Sequence, residues 1–145
     1  MAKEKFLTLL AESSKPVLTD GAMGTMLHGR GVPFGTCFDE LNLSRPALVG
    51  EIHRAYIEAG AQIILTNTFG ANPYKLAAHG LQDKVAEINR AGVDLARRVV
   101  AASFKEVLVA GDIGPLGVRL APFGRVTKEQ ARDAFTAQIA PLVEA

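Results

Sequence analysis

Three short apolar runs constrain the fold of this chain most, because each runs directly into polar and glycine residues typical of a loop. The runs are residues 17–18, 62–65 and 107–110, and residues with helical spacing separate them. This alternation favours an α/β fold in which parallel strands are joined by right-handed crossovers. All three strand C-termini are then expected at one edge. A doubly wound sheet and a (β/α) barrel both satisfy the pattern.

The order of the patterns predicts one N-terminal helix and three strand–helix units. The helix is expected at about residues 3–13, and the units at about residues 16–60, 61–104 and 106–145. A complete barrel needs eight units and about 250 residues. The chain ends within a helical pattern without a C-cap glycine. On the barrel interpretation, residues 1–145 are therefore expected to be the first three βα units of a truncated TIM barrel.

Local signals predict where several helices begin, end or pack closely. Ser44 is a natural N-cap, and Thr127 with Gln130 forms a capping box. Gly92 lies inside a helical pattern, where glycine costs roughly 1 kcal/mol relative to alanine. This cost indicates close packing at Gly92. Pro141 is expected to kink or end the last helix.

The composition excludes several classes of protein. The chain is 48% hydrophobic and 21% charged, and its net charge of +1 comes from scattered basic residues. We therefore expect neither nucleic acid nor an anionic membrane surface as a partner. No signal peptide or membrane-spanning segment is recognisable. A single cysteine, Cys37, excludes an internal disulfide framework and predicts a reducing compartment, by default the cytoplasm.

Polar residues at the three strand ends are the candidates for a binding site. Asp20, Asn67, Thr68 and Asp112 follow the apolar runs and are expected at the shared sheet edge. Asp20 is the strongest candidate, because a carboxylate facing a glycine turn can accept a hydrogen bond from a ligand ammonium. The alternative for Asp20 and Asp112 is an aspartate that bonds its own turn. The polar groups of Asn67 and Thr68 either meet a ligand or are hydrogen-bonded internally.

Other motifs give weaker signals. The glycine loop at residues 21–25 lacks the spacing of a dinucleotide fingerprint or a P-loop, so nucleotide binding by an unrelated α/β fold is disfavoured. Its free backbone N–H groups could instead hold a carboxylate. His28, His53 and His79 do not have metal-ligand spacing, and we interpret His53 as structural or solvent-facing. Cys37 is interpreted as a small packed residue.

Three longer stretches are recognisable together. Residues 18–27 (LTDGAMGTML), 39–46 (DELNLSRP) and 66–72 (TNTFGAN) resemble the homocysteine S-methyltransferase family. Within the family, the chain is most similar to the N-terminal homocysteine-binding module of cobalamin-dependent methionine synthases and their bacterial relatives. The resemblance runs from about residue 17 to the end of the chain.

The resemblance implies a (β/α)₈ barrel that binds homocysteine at its strand C-termini and transfers a methyl group to the homocysteine thiol, giving methionine. It also implies a zinc ion held by three cysteines, and cobalamin as a possible methyl carrier. Matched residue by residue, Asp20 and Gly21 are candidates for the amino acid end of homocysteine. Thr66, Asn67 and Thr68 are candidates for the pocket wall.

The family's zinc cysteines have no counterpart in this sequence, so no catalytic residue and no metal ligand is assigned, and the chain alone is expected to be inactive. The methyl donor stays open. We expect the remainder of the barrel, or a partner chain, to be needed for stability. The alternative is a non-catalytic small-molecule-binding remnant of the same fold.

Overall fold

The computed structural model describes residues 2–12 and 14–145 and shows short parallel strands alternating with helices. The two strands are β1 (Ile63–Leu65) and β2 (Leu108–Ala110). A single 3₁₀ turn, Gln82–Lys84, precedes the longest helix. The α-helices of the described residues are α1 (Ala2–Glu12), α2 (Gly24–His28), α3 (Leu41–Ser44), α4 (Pro46–Glu58), α5 (Pro73–Ala77), α6 (Val85–Ser103) and α7 (Lys128–Glu144).

The sheet is parallel, as the alternating pattern predicts. β1 pairs with β2 in the register Ile63 to Leu108 and Leu65 to Ala110. On the other side of β1, Thr19 forms one parallel bridge with Ile63. The three predicted strand ends are therefore neighbours, with β1 in the middle. This arrangement confirms an α/β fold with parallel strands.

The first predicted strand is shorter than its apolar run indicates. The carbonyl of Leu18 accepts hydrogen bonds from the N–H groups of Gln62 and Ile63, and the Asp20 N–H donates to the carbonyl of Ile63. Beyond these bonds the ladder does not continue, and Leu18 is 55% exposed. A segment with one strand neighbour and an exposed side chain has little to hold it extended.

The main core lies between the sheet and the two helices α4 and α6. Ile52 and Ile57 of α4 pack with Ile64 of β1 and with Leu95 and Val99 of α6. Fully burying one such side chain is worth about 1.5–3 kcal/mol relative to exposure. This core fixes the direction of β1, and β1 in turn carries the loop that follows it.

The predicted N-cap Ser44 is wrong. Ser44 ends α3, and its hydroxyl donates to the carboxylate of Glu40 at 2.7 Å. The N-cap of α4 is Arg45, which makes no side-chain capping bond, while Pro46 occupies the first turn. The fixed φ of Pro46 suits the first turn of a helix, so α4 begins at this residue without a capping side chain.

Other local signals agree with the structure. The capping box of Thr127 and Gln130 is formed at the start of α7. A Cβ atom on Gly92 would lie 2.6 Å from Cγ2 of Thr68, which confirms close packing there. Of the two outcomes predicted for Pro141, a kink or an end of the helix, the end is wrong, because α7 continues to Glu144. Because Pro141 has no N–H to donate to the carbonyl of Ala137, α7 runs through this position with one backbone hydrogen bond fewer.

Three short helices, α2, α3 and α5, were not predicted. α2 begins within the glycine loop at residues 21–25, α3 directly precedes the N-cap of α4, and α5 begins after Asn72. Asn72 caps α5, because its side-chain oxygen accepts from the N–H groups of Tyr74 and Lys75. No helix among the described residues is long and apolar enough to cross a membrane.

Candidate functional site

A cavity of about 900 Å³ opens at the C-terminal ends of the strands. Its floor is formed by the strand ends and its rim by the segments that follow them. Charged side chains are concentrated in it. The charged or titratable lining residues are Asp20, Cys37, Asp39, Tyr74, Lys75, His79 and Asp112. The predicted edge at Asp20, Asn67 and Asp112 is thus the floor of one cavity.

Only one of the two oxygens of the Asp20 carboxylate is hydrogen-bonded within the described residues. Its Oδ2 accepts a hydrogen bond from the Leu65 N–H at 3.0 Å. Its Oδ1 is buried and has no hydrogen-bond partner among the described residues. The bond to Leu65 lies across two strands, so Asp20 does not simply close its own turn. Since a buried carboxylate oxygen without a partner is costly, Oδ1 is suited to accept from a ligand.

Gly21 gives the chain room to turn beside a tyrosine. A Cβ atom on Gly21 would lie 3.0 Å from the hydroxyl oxygen of Tyr56. That hydroxyl donates to the carbonyl of Ala22 at 2.9 Å. Tyr56 of α4 therefore holds the turn after Asp20 and lies close against Gly21.

Three carboxylates give the cavity an acidic floor. Burial raises the pKa of Asp20, Asp39 and Asp112 above the ordinary carboxyl value. The charge of Asp112 raises the pKa of Asp20 and of Asp39 further, whereas the Leu65 and Gly70 N–H groups partly lower them. Closely placed carboxylates of this kind favour a cationic ligand group, which relieves both desolvation and repulsion.

The predicted wall residues Thr66, Asn67 and Thr68 do not share one role in the structure. Thr66 and Asn67 line the cavity, whereas Thr68 is fully buried and lies outside the lining. The Thr68 hydroxyl donates to the carbonyl of Asp112, and the Asp112 N–H donates to the Thr66 hydroxyl. These bonds tie the end of β2 to the segment after β1.

The side chain of Asn67 is bonded internally. Its Nδ2 donates to the carbonyl of Phe38 at 2.7 Å and to Oδ1 of Asn42 at 3.1 Å. Of the two possibilities left open by the sequence, the structure shows the internal one for the Asn67 amide nitrogen. Asn67 thereby joins the cavity wall to the segment that carries Phe38 and Asp39.

Several lining residues were missed by reasoning from the sequence. The Asp39 carboxylate accepts from the Gly70 N–H at 2.8 Å. Lys75 lies over the ring of Phe69, with 4.7 Å between Nζ and the ring centroid, and its charge lowers the pKa of Asp39. Neither Asp39 nor Lys75 follows an apolar run, so only their position within a recognised stretch or a short helix could have indicated them.

His53 and Cys37 do not form a metal site. His53 is fully buried in α4, which confirms its structural interpretation and excludes the solvent-facing one. Burial lowers its pKa to about 4. Cys37 is buried beside Ala71 and Leu76, and burial raises the pKa of its thiol. Within residues 2–12 and 14–145, no three His, Cys, Asp or Glu residues are placed to hold a metal ion.

Comparison with known proteins decides the family. A model of the homocysteine S-methyltransferase family matches residues 17–145. The chain belongs to the homocysteine S-methyltransferase family. The sequence motifs had indicated this family, and the match confirms that interpretation over nearly the whole chain.

Two curated members of the family illustrate the range of relatives. The chain is 34% identical to a methionine synthase of Mycobacterium tuberculosis over 133 residues, which cover 86% of this chain and 11% of that protein. It is 32% identical to a homocysteine S-methyltransferase of Escherichia coli, covering 100% of this chain and 50% of that protein. The chain thus spans about half or less of the length of these relatives.

Solved structures of the family share the fold. The metallated form of the homocysteine methyltransferase MmuM from Escherichia coli matches with a TM-score of 0.79 at 27% identity. The match covers 94% of this chain and 52% of that one. The oxidized form of the same protein matches with a TM-score of 0.82. The parallel strands and the helices between them are therefore arranged as in this family.

Proposed function

We propose that this chain forms part of a homocysteine S-methyltransferase and that its cavity binds the amino acid end of homocysteine. In the reaction, the homocysteine thiol loses its proton, its sulfur forms a bond to a methyl group as the bond between that group and the donor breaks, and methionine is the product. The family supports the reaction class. The described residues support the binding of the substrate.

The observation that carries the proposal is the unpartnered Oδ1 of Asp20, a residue that lines the cavity. An ammonium group bound there would give this oxygen a charge-assisted hydrogen bond, while Oδ2 stays bonded to the Leu65 N–H. The charge of Asp112 near Asp20 strengthens the attraction for a cation. Asp20 would therefore fix the α-amino group of the substrate.

The turn at Gly21 supplies donors for the α-carboxylate. The backbone N–H groups of residues 21–23 precede α2 and donate to no carbonyl of a described residue. Successive free N–H groups in a turn make a concave site for an anion. Asp20 and the 21–23 turn would together recognise the ammonium and carboxylate of one amino acid, while Thr66 and Asn67 form the adjoining wall.

The described residues do not fit the zinc ion that the family implies. A tetrahedral zinc site needs three or four protein ligands, and no group of three His, Cys, Asp or Glu residues, with or without Cys37, is placed to hold a metal among the described residues. We therefore derive no step through a metal, and cobalamin as carrier is equally left to other parts of the enzyme. This chain's own contribution is to bind and orient the substrate.

The open side of the sheet supports the proposal that further strands complete a barrel. Within the described residues β2 pairs with β1 alone, and all three of its side chains are only half-buried. On α7, Ile139 and Val143 are 41% and 78% exposed. A free strand edge beside exposed apolar side chains is suited to pair with another strand. We propose that the remaining βα units of the enzyme pack there.

Calorimetric titration tests the proposed substrate. L-homocysteine and 4-mercaptobutyrate, which lacks only the α-amino group, are titrated under reducing conditions into the wild-type chain and into Asp20→Asn. We expect the wild type to prefer homocysteine by tenfold or more, as about 1.5–3 kcal/mol for a charged hydrogen bond implies. In Asp20→Asn the preference should largely disappear.

Asp94→Asn is the matched control, because Asp94 is exposed on α6 and is not among the residues that line the cavity. This variant should keep the preference of the wild type. A wild-type chain that binds both compounds equally, or neither, would contradict the proposal. An unchanged preference in Asp20→Asn would show that another group receives the ammonium.

A further inference from the structure

We propose that three buried side-chain amides act as positioning residues for the wall of the substrate cavity. The wall segment is the β1–α5 loop, residues 66–72. The amides come from three different helices, and each donates to a different backbone carbonyl of this loop. We call them the amide triad: Asn42 of α3, Asn89 of α6 and Gln138 of α7. The proposal rests on the proposed function only in taking this loop as a wall of the substrate site.

The bonds of the triad are short and buried. The distances from side-chain nitrogen to carbonyl oxygen are 2.7, 2.8 and 2.7 Å for the pairs Asn42 to Asn67, Asn89 to Ala71 and Gln138 to Thr68. Each of the three amides is at most 4% exposed. The loop is therefore bonded at the carbonyls of residues 67, 68 and 71, each to a different helix.

Two further backbone groups of the loop are bonded to residues outside it. The carbonyl of Phe69 accepts from the Gly114 N–H at 3.0 Å, and the Gly70 N–H donates to Asp39 at 2.8 Å. A loop whose backbone groups are bonded to separate elements has one conformation available to it. Phe69 and Gly70, which line the cavity, are thereby presented in a fixed position.

A gain in folding stability does not explain why two members of the triad, Asn89 and Gln138, are amides. The amide oxygens of Asn89 and Gln138 are buried and have no hydrogen-bond partner among the described residues. Asn89 also donates to the carbonyl of Val85 at 2.7 Å, whereas Gln138 makes a single bond. A buried amide that leaves its oxygen unpaired gains little over an apolar side chain of the same size. Gln138 and Asn89 instead hold backbone carbonyls of the loop in place, which is what a positioning residue is expected to do.

Gln138 is the most informative member, because it lies 70 residues from Thr68 in sequence. Its helix follows β2, whereas the loop follows β1. The bond therefore ties the third strand–helix unit to the substrate wall of the second. Thr68 itself also bonds Asp112 through its hydroxyl, so the two strand ends and α7 meet at this residue.

Amide hydrogen exchange in Gln138→Met tests the proposal. Methionine keeps the approximate size of glutamine and removes the donor. We expect exchange at the Gly70 and Ala71 amides to rise about tenfold relative to the wild type, and the dissociation constant for L-homocysteine to rise by a similar factor. Exchange at the buried α4 amide of Ile52 should stay unchanged. Thr136→Val, an exposed substitution on the same helix, is the control and should alter neither quantity.

Gln138→Glu provides a second test that does not require Gln138→Met to fold. A carboxylate cannot donate to the carbonyl of Thr68, but a protonated carboxyl can. Burial raises the pKa of a carboxyl, so the donor should return on acidification, above the ordinary glutamate value of about 4.3. We expect the variant-to-wild-type ratio of exchange at Ala71 to fall towards one as the pH is lowered.

The outcomes separate this proposal from the proposed function. Equal exchange in Gln138→Met and the wild type, a uniform rise at loop and α4 amides alike, or a pH-independent ratio in Gln138→Glu would each overturn it. If the wild-type chain does not bind homocysteine, the proposed function fails, and the exchange ratios still decide whether the triad holds the loop.

Discussion

The Asp20 carboxylate and the Leu65 N–H lie 3.0 Å apart, joining the end of the first strand segment to the end of β1. The bond uses Oδ2 and leaves Oδ1 buried without a partner among the described residues. The same bond fixes the side-chain rotation of Asp20 and with it the position of the free oxygen. Preorganisation of this kind lowers the cost of binding, because the acceptor is oriented before the ligand arrives.

The affinity for homocysteine should fall in acid at a higher pH than for an ordinary carboxylate. The pKa of Asp20 is raised, first by burial. The ammonium is bound by the ionised form, so affinity is lost as the pH falls through this raised pKa, which lies above the usual value of about 3.9. Titration calorimetry at a series of pH values measures the effect. Asp20→Asn should show a flat profile, and a wild-type profile equally flat down to that usual value would contradict the assignment.

Asp112→Asn should lower the pKa of the other two carboxyls on the cavity floor. The charge of Asp112 raises the pKa of both Asp20 and Asp39, so asparagine removes the repulsion while keeping a similar shape. Because a raised carboxyl pKa means that ionisation opposes folding, the variant should be more stable at neutral pH, by no more than about 1 kcal/mol for these partly solvated groups. Carboxyl ¹³C chemical shifts report the two pKa values. Asp94→Asn should leave them unchanged.

Gly92→Ala should destabilise the chain although alanine is the better helix former. The new Cβ atom would lie 2.6 Å from Cγ2 of Thr68 and 2.9 Å from Nδ2 of Asn42. Overpacking of this kind costs about 1–3 kcal/mol, against a gain of roughly 1 kcal/mol in helix propensity. Urea unfolding should show the net loss.

Gly50→Ala is the matched control for that substitution. Gly50 is also a buried helical glycine, but its added Cβ would meet Leu95 and Val99 at 3.5 Å, an ordinary contact. Here the propensity gain should dominate, and stability should rise by about 1 kcal/mol. Equal effects of the two substitutions would show that the contact of Gly92 with Thr68 and Asn42 is not tight.

The wild type should lose stability in mild acid because of His53, and the substitution His53→Leu should abolish this part of the loss. The pKa of His53 is lowered to about 4, by burial, and is about 6.5 in an unfolded chain. The unfolded state therefore binds a proton first, and the wild type loses stability as the pH falls from about 6.5 to about 4. Between about pH 7.5 and about pH 5, the loss due to His53 should be about 2 kcal/mol.

The measurement compares the free energy of unfolding in urea at the two pH values. The three raised carboxyls change stability in the opposite direction, so the quantity of interest is the difference between wild type and His53→Leu. His79→Leu serves as the control, because His79 is exposed on the short turn after α5. An identical pH dependence in the wild type and His53→Leu would mean that the pKa of His53 is the same in the folded and the unfolded chain.

The sequence by itself determined the family, the parallel α/β class and the shared strand edge. Strand and helix periodicity are local properties, and the recognised stretches are likewise read from consecutive residues of the chain. The same reasoning identified Asp20, and the capping box at Thr127 was readable from four consecutive residues. Each of these depends on neighbours in sequence, which is why no structure was needed.

Only the tertiary structure decided which predicted wall residues line the cavity and which distant residues bond that wall. Thr68 and Asn67 have similar positions in the sequence pattern, yet one is fully buried and the other lines the cavity. Asp39 and Lys75 reach the cavity from segments without a strand signal, and Gln138 reaches Thr68 from another unit. Hydrogen bonds between distant residues depend on how helices pack on the sheet, and local periodicity carries no information about that packing.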